Sequence, residues 1–253
     1  MSAADITAAV VVTRAESHDG PLSSQLRSLG LNVLLWPAVR TAPPAGNSLE
    51  QALARVQDFD WIVFASRQAV SAVIRWLPRL PQGVRVAAIG RATAQVLRSR
   101  SFPVDLLPNE ANAASLVNAF AAVGCAGAKI LYPASSRALP TILQGLTQLG
   151  AQVRQVEAYR TEGSLLDADD CRAWIDREVI GAVTFASPSA VIELERALGP
   201  PHFTRLLAQA AVVAIGPTTA RALAERGRTA VLAESATLSG LANTTHRLLQ
   251  TRP

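Results

Sequence analysis

Eleven side chains able to grip an anion fall just behind apolar runs of this chain: Arg14, Ser66, Arg67, Thr93, Ser135, Ser136, Arg137, Ser187, Ser189, Thr218 and Thr219. A guanidinium holds a carboxylate or phosphate through two parallel N–H bonds. Hydroxyls beside the unpaired amides of a helix start add further donors. Carboxylates are almost absent from the set, so the chemistry it supports is recognition of a polyanion. The three histidines, His18, His202 and His246, stand apart from these positions. Cys125 and Cys171 lie far apart, with no CxxC pair and no histidine at ligand spacing, so neither a metal site nor a disulfide framework is implied. Neither GxGxxG nor GxxxxGK[ST] occurs, which disfavours a nucleotide-binding module.

The elements that would position these residues repeat. Ala214-Ile-Gly-Pro-Thr-Thr-Ala-Arg-Ala-Leu223 reads as strand, tight turn and helix, with Gly216 in the turn and Pro217 at the first helical position. Ala88-Ile-Gly-Arg-Ala-Thr-Ala-Gln-Val-Leu97 repeats it 126 residues earlier, Gly90 against Gly216. Phe64-Ala-Ser66 likewise answers to Phe185-Ala-Ser187, Glu110 to Leu116 answers to Glu234 to Leu241, and Val33 to Thr41 answers to Val153 to Thr161. Four pairs in one order, each offset near half the chain, indicate a tandem duplication. Between them, apolar runs such as Ala8 to Thr13, Trp61 to Ala65 and Ile180 to Phe185 alternate with helical stretches. That alternation predicts an α/β fold of two similar domains, with parallel sheets covered by helices on both faces. Ligands of such sheets bind beyond the carboxyl ends of the strands, where the eleven side chains would gather. Finer expectations are Ser48 capping a helix from Leu49 to Val56, a short strand from Val104 to Leu107, and a loop from Pro133 to Ser136 after a strand ending at Tyr132.

The 253 residues, 49% hydrophobic, are enough to bury a sizeable core. No apolar run reaches the roughly 20 residues of a membrane span. Met1 to Val12 has no basic segment ahead of its short apolar stretch, so the expected location is the cytoplasm, with no membrane partner. The formal charge is +5, and all basic residues but Lys129 are arginine. They are scattered, without the basic and aromatic interleaving of a strand-binding surface, so no nucleic-acid partner is expected.

Val11-Val-Thr-Arg14, the two FAS segments, Ala214 to Leu223 and Glu157-Ala-Tyr-Arg-Thr161 together resemble the uroporphyrinogen-III synthase family, over nearly the whole chain. The resemblance implies cofactor-free closure of the linear tetrapyrrole hydroxymethylbilane, a small molecule with eight carboxylates, with loss of water and inversion of the last pyrrole ring. It also implies domains that exchange their first βα unit, joined by two extended connecting segments: 1–39 plus 161–253 for one, 40–160 for the other, with the active site between them. Tyr159 matches the family's cleft tyrosine and is the implied proton donor; its repeat partner is Val39. Thr93, Thr218 and Thr219 match family threonines at the turns, and Ser66, Ser187, Ser189, Arg14 and Arg137 complete the implied substrate-binding set. Where many relatives carry a small residue or proline after the first FAS serine, this chain has Arg67-Gln68. A monomer is expected, with transient contact to the preceding enzyme of the pathway. A non-catalytic two-domain protein of the same fold that binds tetrapyrrole or another anion is the rival reading, and turnover separates the two.

Overall fold

The computed structural model describes residues 8–251; residues 1–7, on which part of the leader reading falls, lie outside them, as do 252–253. In chain order the elements begin β1 (Ala9–Val12), α1 (Pro21–Ser28), β2 (Val33–Leu35), β3 (Val39–Ala42), α2 (Ser48–Leu53), β4 (Trp61–Phe64), α3 (Arg67–Trp76), β5 (Arg85–Ala88), α4 (Arg91–Arg98) and α5 (Ala113–Val123). They continue with β6 (Lys129–Ser135), α6 (Thr141–Gln148), β7 (Gln152–Gly163), α7 (Ala168–Asp176), β8 (Ile180–Phe185), α8 (Pro188–Leu198), α9 (Pro200–Gln209), β9 (Ala211–Ala214), α10 (Pro217–Ala224), β10 (Val231–Leu232) and α11 (Leu238–Gln250). The chain divides into two compact units. One takes the chain up to Arg40 and again from Glu162; the other is Thr41–Thr161.

The first unit holds a sheet of order β10-β9-β8-β1-β2, parallel in every described pairing. Successive residues of a strand face opposite sides, and β1 is apolar at every position because both sides are covered. Val10 and Val12 meet Leu22 and Leu26 of α1 and Leu241 of α11. Val11 meets the other layer, with Ile175 of α7, Leu194 of α8 and Phe203 of α9. The second unit holds a sheet of order β3-β7-β6-β4-β5. Ile62 and Phe64 face Leu53, Val70, Val73 and Leu97 of α2, α3 and α4, while Trp61 and Val63 face Leu116 and Phe120 of α5 and Leu146 of α6.

The two strand orders correspond: β9-β8-β1-β2 in one sheet, β5-β4-β6-β7 in the other. Each sheet therefore takes its first βα pair from one half of the duplicated sequence and its remaining strands from the other half. The FAS segments end equivalent strands, β4 and β8.

Several local expectations are corrected. Ser48 is the first residue of α2 rather than its cap, and the helix stops at Leu53. A 3-10 turn over Val56–Asp58 follows, tightened by an Arg55–Asp58 ion pair at 2.6 Å. Val104 to Leu107 makes a single bridge, Leu106 to Ala87, because the Asp105 carboxylate takes the Val86 N–H at 2.7 Å and breaks the ladder. Pro133 to Ser136 is not a loop: β6 runs on to Ser135 against β7. Its described pairing with β4 ends at Leu131, so the donor that proline lacks falls where β6 is paired on one side only. Gly216, expected in a tight turn, is the extended N-cap of α10 at φ −170°. Helix α9 was not read from the sequence; Gly199, at φ +78°, joins it directly to α8.

Trp61 starts β4, and its indole meets Phe120 edge-to-face with centroids 5.1 Å apart. Phe120 is fully buried. Phe120→Ala is expected to lower stability by about 3–5 kcal/mol in urea denaturation, and Phe120→Leu by clearly less.

Candidate functional site

In the second unit the rim at the carboxyl ends of the strands is a chain of hydroxyls. Strand β4 delivers Ser66 to the N-cap of α3, where its Oγ accepts the Ala69 N–H at 3.1 Å. The same Oγ lies 3.0 Å from the phenolic oxygen of Tyr159. Tyr159 is carried by β7, the strand that pairs with the extended part of β6, and a register shift after Ala134 sets it opposite Ser135. Its ring packs, half-buried, on the layer formed by α2, α3 and α4. Ser135 Oγ is 3.1 Å from Thr161 Oγ1 and accepts the Arg137 N–H at 3.3 Å, and Ser136 N–H bonds Tyr159 O at 2.9 Å. Ser66, Tyr159 and Arg137 thus belong to one rim. Thr161 was missed as a site residue, although the matched Arg-Thr pairs at 40–41 and 160–161 marked its place.

Tyr132, also missed, sits on β6 with 3% of its surface exposed. Burial first, and then the nearby Tyr159, push its phenol up to about 12. It reads in sequence as one more apolar strand position. Cys171, buried under α8 and α9, is also pushed up to about 12, by burial first and then by Asp170 and Asp167, so it is an inert thiol.

The two GxxT turns share a backbone and differ in access. Thr93 and Thr219 are buried, at 5% and 2%, and their amides close on Gly90 O and Gly216 O at 3.1 Å. Each fixes its turn from inside. Thr218 is exposed in the first turn of α10, next to the proline that supplies no donor. Ala111 lies over Gly90, within 2.5 Å of where a Cβ would stand, whereas no described residue comes within 4 Å of that position at Gly216. The Gly216 turn is open and the Gly90 turn is covered.

The remaining residues lie in the first unit. Ser187 caps α8, its Oγ accepting the Ala190 N–H at 3.3 Å, and Ser189, the second residue of the helix, is half-buried. Arg14 is not surrounded by hydroxyls alone: its Nε donates to Glu16 at 2.8 Å. Glu16, 3% exposed at its side chain, also accepts the Ser23 N–H at 2.7 Å and the Ser23 hydroxyl at 2.6 Å, so it serves as a remote cap for α1. No local pattern marks this carboxylate, because it stands outside the helix it caps.

The family described as uroporphyrinogen-III synthase HemD matches residues 20–243. A uroporphyrinogen-III synthase of Synechococcus elongatus is 31% identical over 244 residues, covering 92% of either chain. A putative uroporphyrinogen-III synthase of Methanothermobacter thermautotrophicus is 30% identical over 241 residues, covering 92% of this chain and 95% of its own. In fold, the chain is similar to a mutant uroporphyrinogen III synthase of Thermus thermophilus at TM-score 0.70, with 18% identity and 97% and 100% of the two chains covered. It is also similar to uroporphyrinogen-III synthetase of Helicobacter pylori at TM-score 0.66, with 16% identity and 95% and 99% covered. Among the described residues no helix is long and apolar enough to cross a membrane.

Removing the Glu16 carboxylate strands Arg14 and two donors at the start of α1. Glu16→Ala is expected to cost about 1–3 kcal/mol in thermal or urea unfolding. The buried phenol gives a pH dependence of known sign. Between its unfolded value of 10.0 and the folded value of about 12, folded Tyr132 keeps a proton that the unfolded chain has lost. Stability therefore falls as pH rises through that window, by about 2 kcal/mol. Cys171 acts in the same direction from 9.0 to about 12. Urea midpoints measured against pH should flatten in part in Tyr132→Phe and further in Tyr132→Phe/Cys171→Ala.

Proposed function

This chain belongs to the uroporphyrinogen-III synthase family, and on that premise we propose that it acts as a cyclising hydro-lyase in the cytoplasm. Its substrate is the linear tetrapyrrole hydroxymethylbilane and its product uroporphyrinogen III. The observation that carries the assignment of roles is the 3.0 Å approach of Ser66 Oγ to Tyr159 Oη at the carboxyl end of the sheet.

Ser66 Oγ already accepts the Ala69 N–H. Its own proton can be donated to Tyr159 Oη, which leaves the phenolic hydrogen free to point at a ligand. Tyr159 gives that proton to the hydroxymethyl oxygen as the C–O bond breaks, and water and an azafulvenium cation result. The phenolate left behind is held by the Ser66 hydroxyl, itself seated at the positive end of α3. The last ring then attacks through its substituted carbon, forming a spiro intermediate that fragments and recloses inverted. The ring proton released on rearomatisation returns to Tyr159, so the protein ends as it began.

A phenol is a weak acid, and the harder task is holding a flexible chain so that the more hindered carbon attacks. Arg14, Arg137, Ser187, Ser189 and Thr218 supply donors for the carboxylates. The open Gly216 turn adds the amides of α10. Thr93 and Thr219 shape the turns rather than reach the ligand. No cofactor enters this scheme. A monomer, handed its labile substrate in transient contact with the preceding enzyme, completes the reading.

The test is the ratio of uroporphyrinogen III to I, and the rate, after protein is added to freshly generated hydroxymethylbilane. Type III should predominate over the no-protein control. Tyr159→Phe should slow turnover about a hundredfold and Ser66→Ala about tenfold. Type I alone at the control rate from the unsubstituted protein overturns the synthase reading. An unchanged rate in Tyr159→Phe overturns the proton-donor role and leaves the rest standing.

A further inference from the structure

At the other end of the same strands, where β6 and β7 begin, the second unit has a cavity of about 350 Å³ lined by Arg55, Asp58, Phe59, Lys129, Gln152 and Arg154, with Val153. Tyr159 lies seven positions beyond Gln152 on β7, roughly 23 Å along the strand, so this cavity is distinct from the hydroxyl rim. Its volume is in the range of small-ligand sites, and it opens broadly to solvent.

The register explains its lining. Lys129 pairs with Gln152 and Leu131 with Arg154, so Lys129, Gln152 and Arg154 project from one face of the sheet, the face whose next residues inward, Leu131 and Val156, enter the layer under α2 and α3. Phe59 packs, half-buried, at the margin of that layer. An apolar ring therefore backs a set of cations.

The charges are unevenly satisfied. Asp58 is held by Arg55 at 2.6 Å. The neighbouring carboxylate, Asp60, turns to the Lys129 backbone N–H at 2.8 Å. Neither the Lys129 ammonium nor the Arg154 guanidinium has an ion-pair partner among the described residues. Both cations line the same cavity as the Phe59 ring, and an anion seated between them would offset their mutual repulsion.

We propose that this cavity binds a small planar dianion, one aromatic ring bearing two negative charges, with the ring against Phe59 and the charges shared by Lys129 and Arg154. A dicarboxylate and an aryl phosphate offer the same chemistry. The site is independent of the synthase assignment.

Isothermal titration of the full chain with phthalate, phenyl phosphate, benzoate and inorganic phosphate tests it. Phthalate or phenyl phosphate should bind saturably, and whichever is tighter names the source. Benzoate, with one charge, and inorganic phosphate, with no ring, should bind more weakly. Lys129→Gln and Arg154→Gln change exposed side chains and should each weaken the dianion about fivefold without altering thermal stability. Tyr159→Phe should leave its binding unchanged. Binding that persists at full strength in the Lys129→Gln/Arg154→Gln variant, equal affinity for benzoate and phthalate, or no binding by either dianion overturns the proposal.

Discussion

A strand covered on both faces can carry a polar side chain only where it ends, and this constraint organises the chain. The runs Ala9–Val12, Trp61–Phe64 and Ile180–Phe185 are buried throughout. A hydroxyl placed inside them would need a partner at once, and Thr184 shows how: its Oγ1 donates to Val11 O, and Thr13 donates back to Thr184 O. Ser66 and Ser187 instead stand two residues past the ends of their strands. There they meet the unpaired amides of the next helix. Ser66 and Ser187 follow from this geometry whatever their ligand, because a residue between a buried strand and a helix start needs a short acceptor side chain.

The duplication supplies that arrangement twice, and the side chains then make the copies unequal. Ser66 faces Tyr159, while the residue matching Tyr159 in the other repeat is Val39, which cannot hydrogen-bond through its side chain. The Gly216 turn is open, while the loop carrying Ala111 lies over Gly90. The Ser66–Tyr159 hydroxyl pair thus belongs to one unit and the uncovered glycine turn to the other. A symmetric scaffold suits a substrate of repeated pyrroles, but a reaction that inverts only one ring requires the symmetry to be broken somewhere. Tyr159 and Ala111 are two places where it is.

What could be read from sequence was what local chemistry dictates. Apolar runs gave both sheets, the four matched segments gave the duplication, and the serines of the two FAS segments gave two helix caps. The misses share a physical cause, which is that a partner distant in sequence decides the outcome. Strand β6 continues through Pro133 because β7 continues beside it, a pairing no local pattern encodes. Asp105 ends a ladder by reaching Val86, and Glu16 caps a helix that starts five residues after it. Tyr132 looks like any apolar strand position until the neighbouring strand brings Tyr159 close. Thr93, Thr218 and Thr219 were grouped by motif, and only the fold separates the two that point inward from the one that points out.

The extension of β6 matters most for the candidate site. If β6 ended at Tyr132, as the proline implies locally, Ser135 and Ser136 would fall in a free loop. Tyr159 would then have nothing beside it to fix its height on β7. Pairing through Ser135, with one register shift, places Tyr159 where its hydroxyl meets Ser66, and ties Thr161 to the same rim through Ser135 Oγ. The bulge therefore acts as an aiming device: removing it would move every later residue of β7 by one position and turn the phenol to the opposite face of the sheet. A proline tolerated on a half-paired strand and a one-residue slip beside it are what put a weak acid within reach of its helix-bound partner.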